Sequence, residues 1–380
     1  MTIEPDENGS SRARSRFWQS ASGFWRGASA WRVWVLCVLL VTIVVLQLYV
    51  QFRFNYWNRD FFDALESRDP ARLRGQAFLL IPLCIGSITL AVASVWGRMT
   101  VQRQWREWLT GKVIDYWVED DRYARLAAVQ SEQQIPEYRI AEDVRIATDA
   151  PIDLALGLVS ALLSAVIFIQ VLWTVGGDIA LPVGSHSVRI PGYLVVGVAL
   201  YSSIVTIAMM TVGAPLTRLV QIKNQAEAEL ITAAHQLRDI GEGIAPQEQR
   251  PEVCRDLRST LRTTMDQWRR LCWQLMRTTI VSHGNSLLAP IIGLVLCAPK
   301  FLAGAMTLGE LTQAAAAFTL VQASFNWIVD NFGRIADWMS SLGRVGSLLL
   351  SLDRLNRETP PQQAESATLP TGSVKLPSRE

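Results

Sequence analysis

The stretch Val33–Val50, VWVLCVLLVTIVVLQLYV, decides what kind of chain this is. A helix that crosses the ~30 Å hydrocarbon core of a bilayer needs about 20 mostly apolar residues, and this run is of that size. Arg12, Arg14, Arg16, Arg26 and Arg32 precede it. The run is too long for the apolar region of a signal peptide and no small-residue cleavage site follows it, so it reads as an uncleaved first span. The same ruler finds five more segments. Phe78–Trp96 is as apolar as the first, and Ile152–Val175 and Tyr193–Val212 flank a hairpin-like connection, GGDIALPVGSHSVRIPG, whose Gly and Pro residues forbid a continuous helix. Ile280–Ala298 contains Pro290, and Leu311–Val329 is interrupted by Gln313, Gln322, Ser324 and Asn326. A span studded with amides faces protein or water rather than lipid.

Composition agrees with a membrane protein. The 380 residues are 50% hydrophobic and only 18% charged, with a mean hydropathy of +0.19, whereas about a quarter of a soluble chain is charged. A net charge of +2 leaves no global field, and the arginines are interleaved with acids, so no nucleic-acid partner is expected. The five cysteines form no C-x-x-C pair, and His186, His235 and His283 share no ligand spacing with a cysteine or carboxylate. The cysteines read as buried thiols, and no metal site is expected.

The arginines before the first span place the amino terminus in the cytoplasm by the positive-inside rule, and six spans return the carboxyl terminus to the same side. Segments 97–151 and 213–279 are long and arginine-rich, while 176–192 and 299–310 carry one basic residue each. The 51–77 connection departs from this pattern, with Arg53, Arg59, Arg68, Arg72 and Arg74 offset in part by Asp60, Asp63, Glu66 and Asp69. Val101, Trp105, Trp108, Lys112 and Val113 recur at helical spacing, as do Leu216, Leu219, Val220, Lys223, Ala226, Glu227, Leu230 and Ala234. The spans therefore extend well into the cytoplasm and turn there near Pro136 and Pro246. The expected layout is a flexible cytoplasmic segment over 1–25, a six-helix membrane domain over 26–355, and a Pro/Ser/Thr/Gln-rich linker over 356–380.

Short outer connections and long inner helices give an all-α silhouette that resembles the exporter-type membrane domain of ABC transporters. Its wording is more specific. Asn55-Tyr56-Trp57-Asn58-Arg59-Asp60-Phe61-Phe62-Asp63-Ala64-Leu65 resembles the N-x-W-x-x-x-F-[FY]-[DN]-A-L signature of the SbmA/BacA-like transporter family. Pro136-Glu137-Tyr138-Arg139-Ile140-Ala141-Glu142-Asp143, Ile190-Pro191-Gly192-Tyr193, Glu227-Ala228-Glu229, Ala298-Pro299 and Leu302–Gln313 follow in the family's order. The resemblance covers roughly residues 25–355. It departs where Gln134-Ile135 replaces an Asn before Pro136, and where Pro246-Gln247-Glu248-Gln249 replaces a Gly-Glu.

This resemblance implies a domain-swapped homodimer in a bacterial inner membrane, enclosing a polar cavity and moving peptides or hydrophilic solutes such as corrinoids. One branch of the family is fused to an ATPase and the other is understood as a proton-driven peptide importer. No G-x-x-x-x-G-K-[ST] occurs, since Gly111-Lys112 lacks the upstream glycine. No cofactor is therefore expected on the chain itself, and ATP with Mg enters only through a separate or missing ATPase. PEYRIAEDVRIATDAP resembles the fused branch, and Ser373-Val374-Lys375-Leu376 looks like the first strand of such an ATPase. An ATPase-coupled permease is the favoured reading; a proton-driven importer and a non-transporting scaffold are the alternatives.

Candidate residues carry two readings each. Glu142, Asp143 and Asp153 either form a carboxylate row at the cavity or stabilise a helix start and pair with Arg139 and Arg145. Glu227 and Glu229 either carry protons or sit on a solvated face near Lys223. Glu310 is either a cavity acid or, with Thr307, a capping box. Gln313, Gln322, Asn326 and Asp330 read as a polar stripe down the sixth span, with Asp330 pairing Arg334. Asn55, Trp57, Arg59, Asp60 and Phe61 form an outer-end motif, as interfacial anchors or a gate. Pro136, Arg139, Glu142, Asp143 and Pro246 mark the coupling turns.

Overall fold

A computed structural model describes residues 7–27, 30–129, 136–183 and 186–357. In chain order its helices are α1 (Glu7–Ala21), α2 (Gly23–Arg26), α3 (Ala30–Glu66), α4 (Pro70–Val118), α5 (Arg122–Val129), α6 (Pro136–Tyr138), α7 (Val144–Gly176), α8 (Tyr193–Gly241), α9 (Arg250–Leu302) and α10 (Leu308–Arg357). One π-helical turn, Arg139–Asp143, leads into α7. Gln134-Ile135 and residues 358–380, including Ser373–Leu376 with its expected strand, lie outside the described residues.

Helices α3, α4, α7, α8 and α9 contain stretches long and apolar enough to cross a membrane. Helix α10 is as long but is not among these five, because amides dilute its apolar run. The first span does not stop at Val50. Its helix continues to Glu66 and carries the whole Asn55–Leu65 motif in helical form. Asp69 then accepts from the backbone N–H groups of Ala71 and Arg72 at 2.9 and 3.2 Å and caps α4, with Pro70 in the first helical position, where its missing N–H costs nothing.

The all-α expectation has one exception. Two strands, β1 (Asp178–Val183) and β2 (His186–Pro191), pair antiparallel in register from Asp178↔Pro191 to Val183↔His186. Gly177 and Gly192 open and close the pair at φ +54° and +61°, a region that disfavours any side chain, and Trp173 packs where a Cβ on Gly192 would sit.

The chain divides into two compact units. One comprises Met1–Cys37, Met99–Ile152 and Ala336–Glu380, the other Val38–Arg98 and Asp153–Ile335. In the second, Phe168, Leu172, Leu194, Val198, Cys297, Ala314, Ala317 and Phe318 form a core shared by α7, α8, α9 and α10. Small residues set its spacing: a Cβ on Gly293 would lie 3.0 Å from the Cα of Ala315, so these two helices touch backbone to backbone.

The first unit contains a correction to the sequence reading. Within the segment 1–25 that the sequence reads as flexible, Glu7–Ala21 is helical and a second helix starts at Gly23, and Ala13, Phe17 and Ala21, spaced i, i+4, i+8, are all buried. Arg16 binds Asp353 through two nitrogens at 2.6 and 3.0 Å, and Tyr116 donates to the same carboxylate at 2.5 Å. A Cβ on Gly346 would collide with the backbone of Ala13. Sequence patterning missed this because only one residue in four of α1 is apolar, and its main ion pair spans 337 residues.

Candidate functional site

Two of the motifs, far apart in sequence, meet in space. Thr307 and Glu310 form the expected capping box, with Thr307 N–H to Glu310 Oε2 at 3.1 Å and Glu310 N–H to Thr307 Oγ1 at 3.2 Å. Helix α3 completes the cap: Glu66 accepts from Leu308 N–H and Asp63 from Gly309 N–H, both at 2.9 Å. All four first-turn N–H groups of this helix start are thereby satisfied by side chains. Arg59 then bridges to Glu310 at 2.9 Å, and Asn55 Nδ2 donates to the backbone oxygen of Gln313 at 3.2 Å. Gly309 is required here, since a Cβ would overlap the Arg59 carbonyl and the Asp63 carboxylate. Glu310 therefore serves as cap and ion-pair partner together. Trp57 donates to the Gln76 carbonyl at 2.8 Å and stacks on Phe61, an anchoring geometry, while Asp60 is exposed.

The amides of α10 do not form one stripe. Nine residues at 3.6 per turn place Gln313 on the opposite side of the helix from Gln322. Gln313 is fully buried, with both amide atoms unpaired among the described residues, and the Oδ1 of buried Asn55 is likewise unpaired. Gln322 and Asn326 share a face one turn apart, and both are buried. Gln322 Nε2 donates to Asn285 Oδ1 at 3.0 Å, and Tyr201 donates to the same oxygen at 2.9 Å. Asp330 continues this face but is exposed.

Ionic groups sit apart from these amides. Asp153 is held by Arg334 at 2.7 Å and by Arg98 at 3.4 Å, so Arg334 pairs with α7 rather than with Asp330. In the other unit, Asp143 is fully buried and accepts from Arg344 Nε and Nη2 at 2.9 and 2.6 Å and from Ser341 at 3.2 Å. Those bonds raise the Arg344 pKa above its ordinary value, whereas burial lowers that of Arg139, which reaches Ser347 at 3.2 Å. Glu142 binds Arg145 through both oxygens at 2.5 and 3.0 Å, which holds its carboxyl below the usual carboxylate range. The helix-start reading thus describes Glu142, while Asp143 instead reaches α10.

On the long extensions of α8 and α9, Glu227 accepts from Lys223 at 2.7 Å and from Trp268 Nε1 at 3.1 Å, and Lys223 lies 5.1 Å from the Trp268 ring centre. The Lys223 bond, then that of Trp268, lowers the Glu227 pKa. Glu229 is exposed and accepts from Gln225 at 3.1 Å. Pro136 opens the short helix α6, and Pro246 is exposed at the turn between α8 and α9.

Sequence reasoning missed Asn285, Tyr201, Arg98 and Arg344. Asn285 gave a usable signal, as an amide inside the apolar run Ile280–Ala298. The arginines gave none, because each partner comes from a distant helix.

Residues 27–302 match the family described as ABC transporter transmembrane region 2. The chain is 26% identical over 318 residues to the inner membrane ABC transporter ATP-binding protein YddA of Escherichia coli, covering 82% of this chain and 56% of that protein. It is 22% identical over 331 residues to ABC transporter D family member 2, chloroplastic, of Arabidopsis thaliana, covering 87% and 45%. An uncharacterized ABC transporter ATP-binding protein of Haemophilus influenzae is 20% identical over 329 residues, covering 84% and 54%. The chain spans about half the length of these relatives.

Proposed function

The chain belongs to the ABC transporter transmembrane region 2 family, and on that premise we propose that it moves peptides or other hydrophilic solutes by alternating access, driven by an ATPase. It is a multi-pass membrane protein and a transporter membrane domain. In this reading α10 is the sixth span, both termini are cytoplasmic in a bacterial inner membrane, and two copies form the transporter. The observation that carries it is the character of α10, a 50-residue helix that carries buried amides and is bonded by Asn55 of α3 at its Gln313 backbone oxygen and by Asn285 of α9 at its Gln322 amide. Such groups are expensive in hydrocarbon and are kept where helices must pack around a polar path.

An ATPase partner is supported by the Escherichia coli and Haemophilus influenzae relatives, which are named ATP-binding proteins and are about twice as long as the matched region. The turns near Pro136 and Pro246, with Arg139, Glu142 and Asp143 beside the first, are the proposed docking points. A homodimer is supported by the α8–α9 extensions, where Ile231, Ile244, Met265 and Trp273 stand exposed beyond the apolar spans.

The test is uptake of a fluorescent proline-rich peptide into sealed liposomes holding the purified chain. With an inward proton gradient and no ATP, no accumulation is expected. With an ATPase subunit co-reconstituted, uptake should follow ATP and stop with vanadate. Accumulation without ATP that collapses with a protonophore would overturn ATPase coupling in favour of proton drive.

A further inference from the structure

The polar groups that join α8, α9 and α10 carry a second inference, which rests on the transport reading above. Tyr201 and Gln322 donate to one atom, Asn285 Oδ1, at 2.9 and 3.0 Å. A carboxamide oxygen has two lone pairs, so this one is saturated and the side chain is fixed in orientation. What Asn285 has left is its Nδ2 donor, for which no acceptor is found among the described residues. Asn285 is also only half-buried, unlike Gln322. One turn along α10, on the face of Gln322, Asn326 is 8% exposed and its Oδ1 has no donor among the described residues. Beside Tyr201, the hydroxyl of Ser202 is buried and unpaired in the same sense.

This set satisfies one acceptor twice and leaves a donor on α9 and an acceptor on α10 unused. Leaving the buried Asn326 Oδ1 unmet is unfavourable, which selects against retaining it without a partner in some state, and the half-buried Asn285 Nδ2 is open to a ligand. No ionised side chain hydrogen-bonds to Tyr201, Asn285, Gln322 or Asn326 among the described residues; the charged Asp153 and Glu310 groups are closed by their own arginines.

We infer that Asn285 and Asn326 form a recognition site for uncharged hydrogen-bonding groups of the solute, with Tyr201 and Gln322 as positioning residues. The Asn285 amide donates to a carbonyl oxygen and Asn326 Oδ1 accepts an N–H or O–H, the complementary pair that a backbone amide presents. Recognition is thus by hydrogen bonds and not by charge. Such a site tolerates varied side chains on a peptide and discriminates against solutes lacking amides or hydroxyls.

The experiment is equilibrium binding by fluorescence anisotropy, with the full chain in nanodiscs and two labelled probes: an uncharged Gly-Ser-Pro hexapeptide and the same peptide with two lysines. Asn285→Asp keeps both acceptor bonds to Tyr201 and Gln322 and replaces only the donor by a carboxylate oxygen. It should weaken the neutral peptide at least tenfold and reverse the preference towards the lysine peptide, with thermal stability retained. Asn326→Leu removes an unpaired acceptor, so it should fold as well as the parent and still weaken the neutral peptide several-fold. Should N285D not fold, N326L decides alone. Unchanged affinity and preference in the folded variants, or no binding of the neutral peptide by the parent chain, would overturn the inference. Binding with the expected losses but no uptake in the ATP-driven assay would strike the transport reading alone and leave the site standing.

Discussion

Helix α10 is tied to its neighbours by charge along one part of its length and by uncharged amides along another. Residues 341–353 face carboxylates: Asp143 is closed by Arg344 and Ser341, and Asp353 itself accepts from Arg16 and Tyr116. Residues 313–326 carry the buried amides Gln313, Gln322 and Asn326; here Gln322 donates to Asn285, and Asn55 donates to the backbone oxygen of Gln313. The difference follows solvation. An ion pair stripped of water must recover several kcal/mol per charge, which is feasible where one partner still reaches solvent, as the 44% exposed Arg344 side chain does. In an apolar stretch the affordable interhelical bond is between neutral groups, and it is weak.

The largest effect should come from breaking the buried charge. Arg344→Ala leaves Asp143 buried without its cation, and the expected loss is about 3 kcal/mol, at the low end of the range for such deletions because Arg344 is part-exposed. Thermal unfolding of the purified chain in detergent reads it. A loss below about 1 kcal/mol, as for a surface pair, would erase the contrast between the two stretches. Tyr201→Phe is the matching deletion among the amides. It removes one donor from Asn285 while the Gln322 bond remains, so a loss of about 0.6 kcal/mol is expected, the average for interhelical hydrogen bonds in a membrane protein. A loss equal to that of R344A would mean the amide cluster is as demanding as a buried ion and would sharpen the case against treating it as weak glue.

How much of this was legible in the sequence depended on range. Five of the six expected spans are legible because apolar length is a local property, and the Thr307/Glu310 capping box because its partners are three residues apart. The Asn55–Leu65 and Leu302–Gln313 motifs were each legible as words, yet their joining was not, since Asp63 and Gly309 are 246 residues apart. The amides of α10 do not share one stripe for a geometric reason: spacing along the sequence does not show helical phase, and Gln313 falls on the side of Asn55. For Asp143 the sequence offers a carboxylate row or pairing with local arginines, and neither reading announces the buried pair from residue 143 to residue 344.

The smallest effect tests whether charges on the α8–α9 extension behave like Asp143 or like ordinary surface groups. Glu227 is held by Lys223 and Trp268, which lowers its pKa. A carboxyl whose folded value is depressed contributes stability above its unfolded value of about 4.3, and that contribution disappears only as pH falls through the lower folded value. Between about pH 5.5 and 8 it therefore stays ionised and exchanges no proton, whereas a proton carrier must titrate near the working pH. Glu227→Gln should accordingly leave the shape of the uptake profile across that range unchanged, and change thermal stability little, because exposed i,i+4 pairs are screened by water and contribute little. Uptake measured at half-unit steps of pH for the parent and E227Q decides the matter. A limb of the profile that vanishes in E227Q would show that this carboxylate titrates during transport, and the contrast between buried and surface charge would no longer account for it.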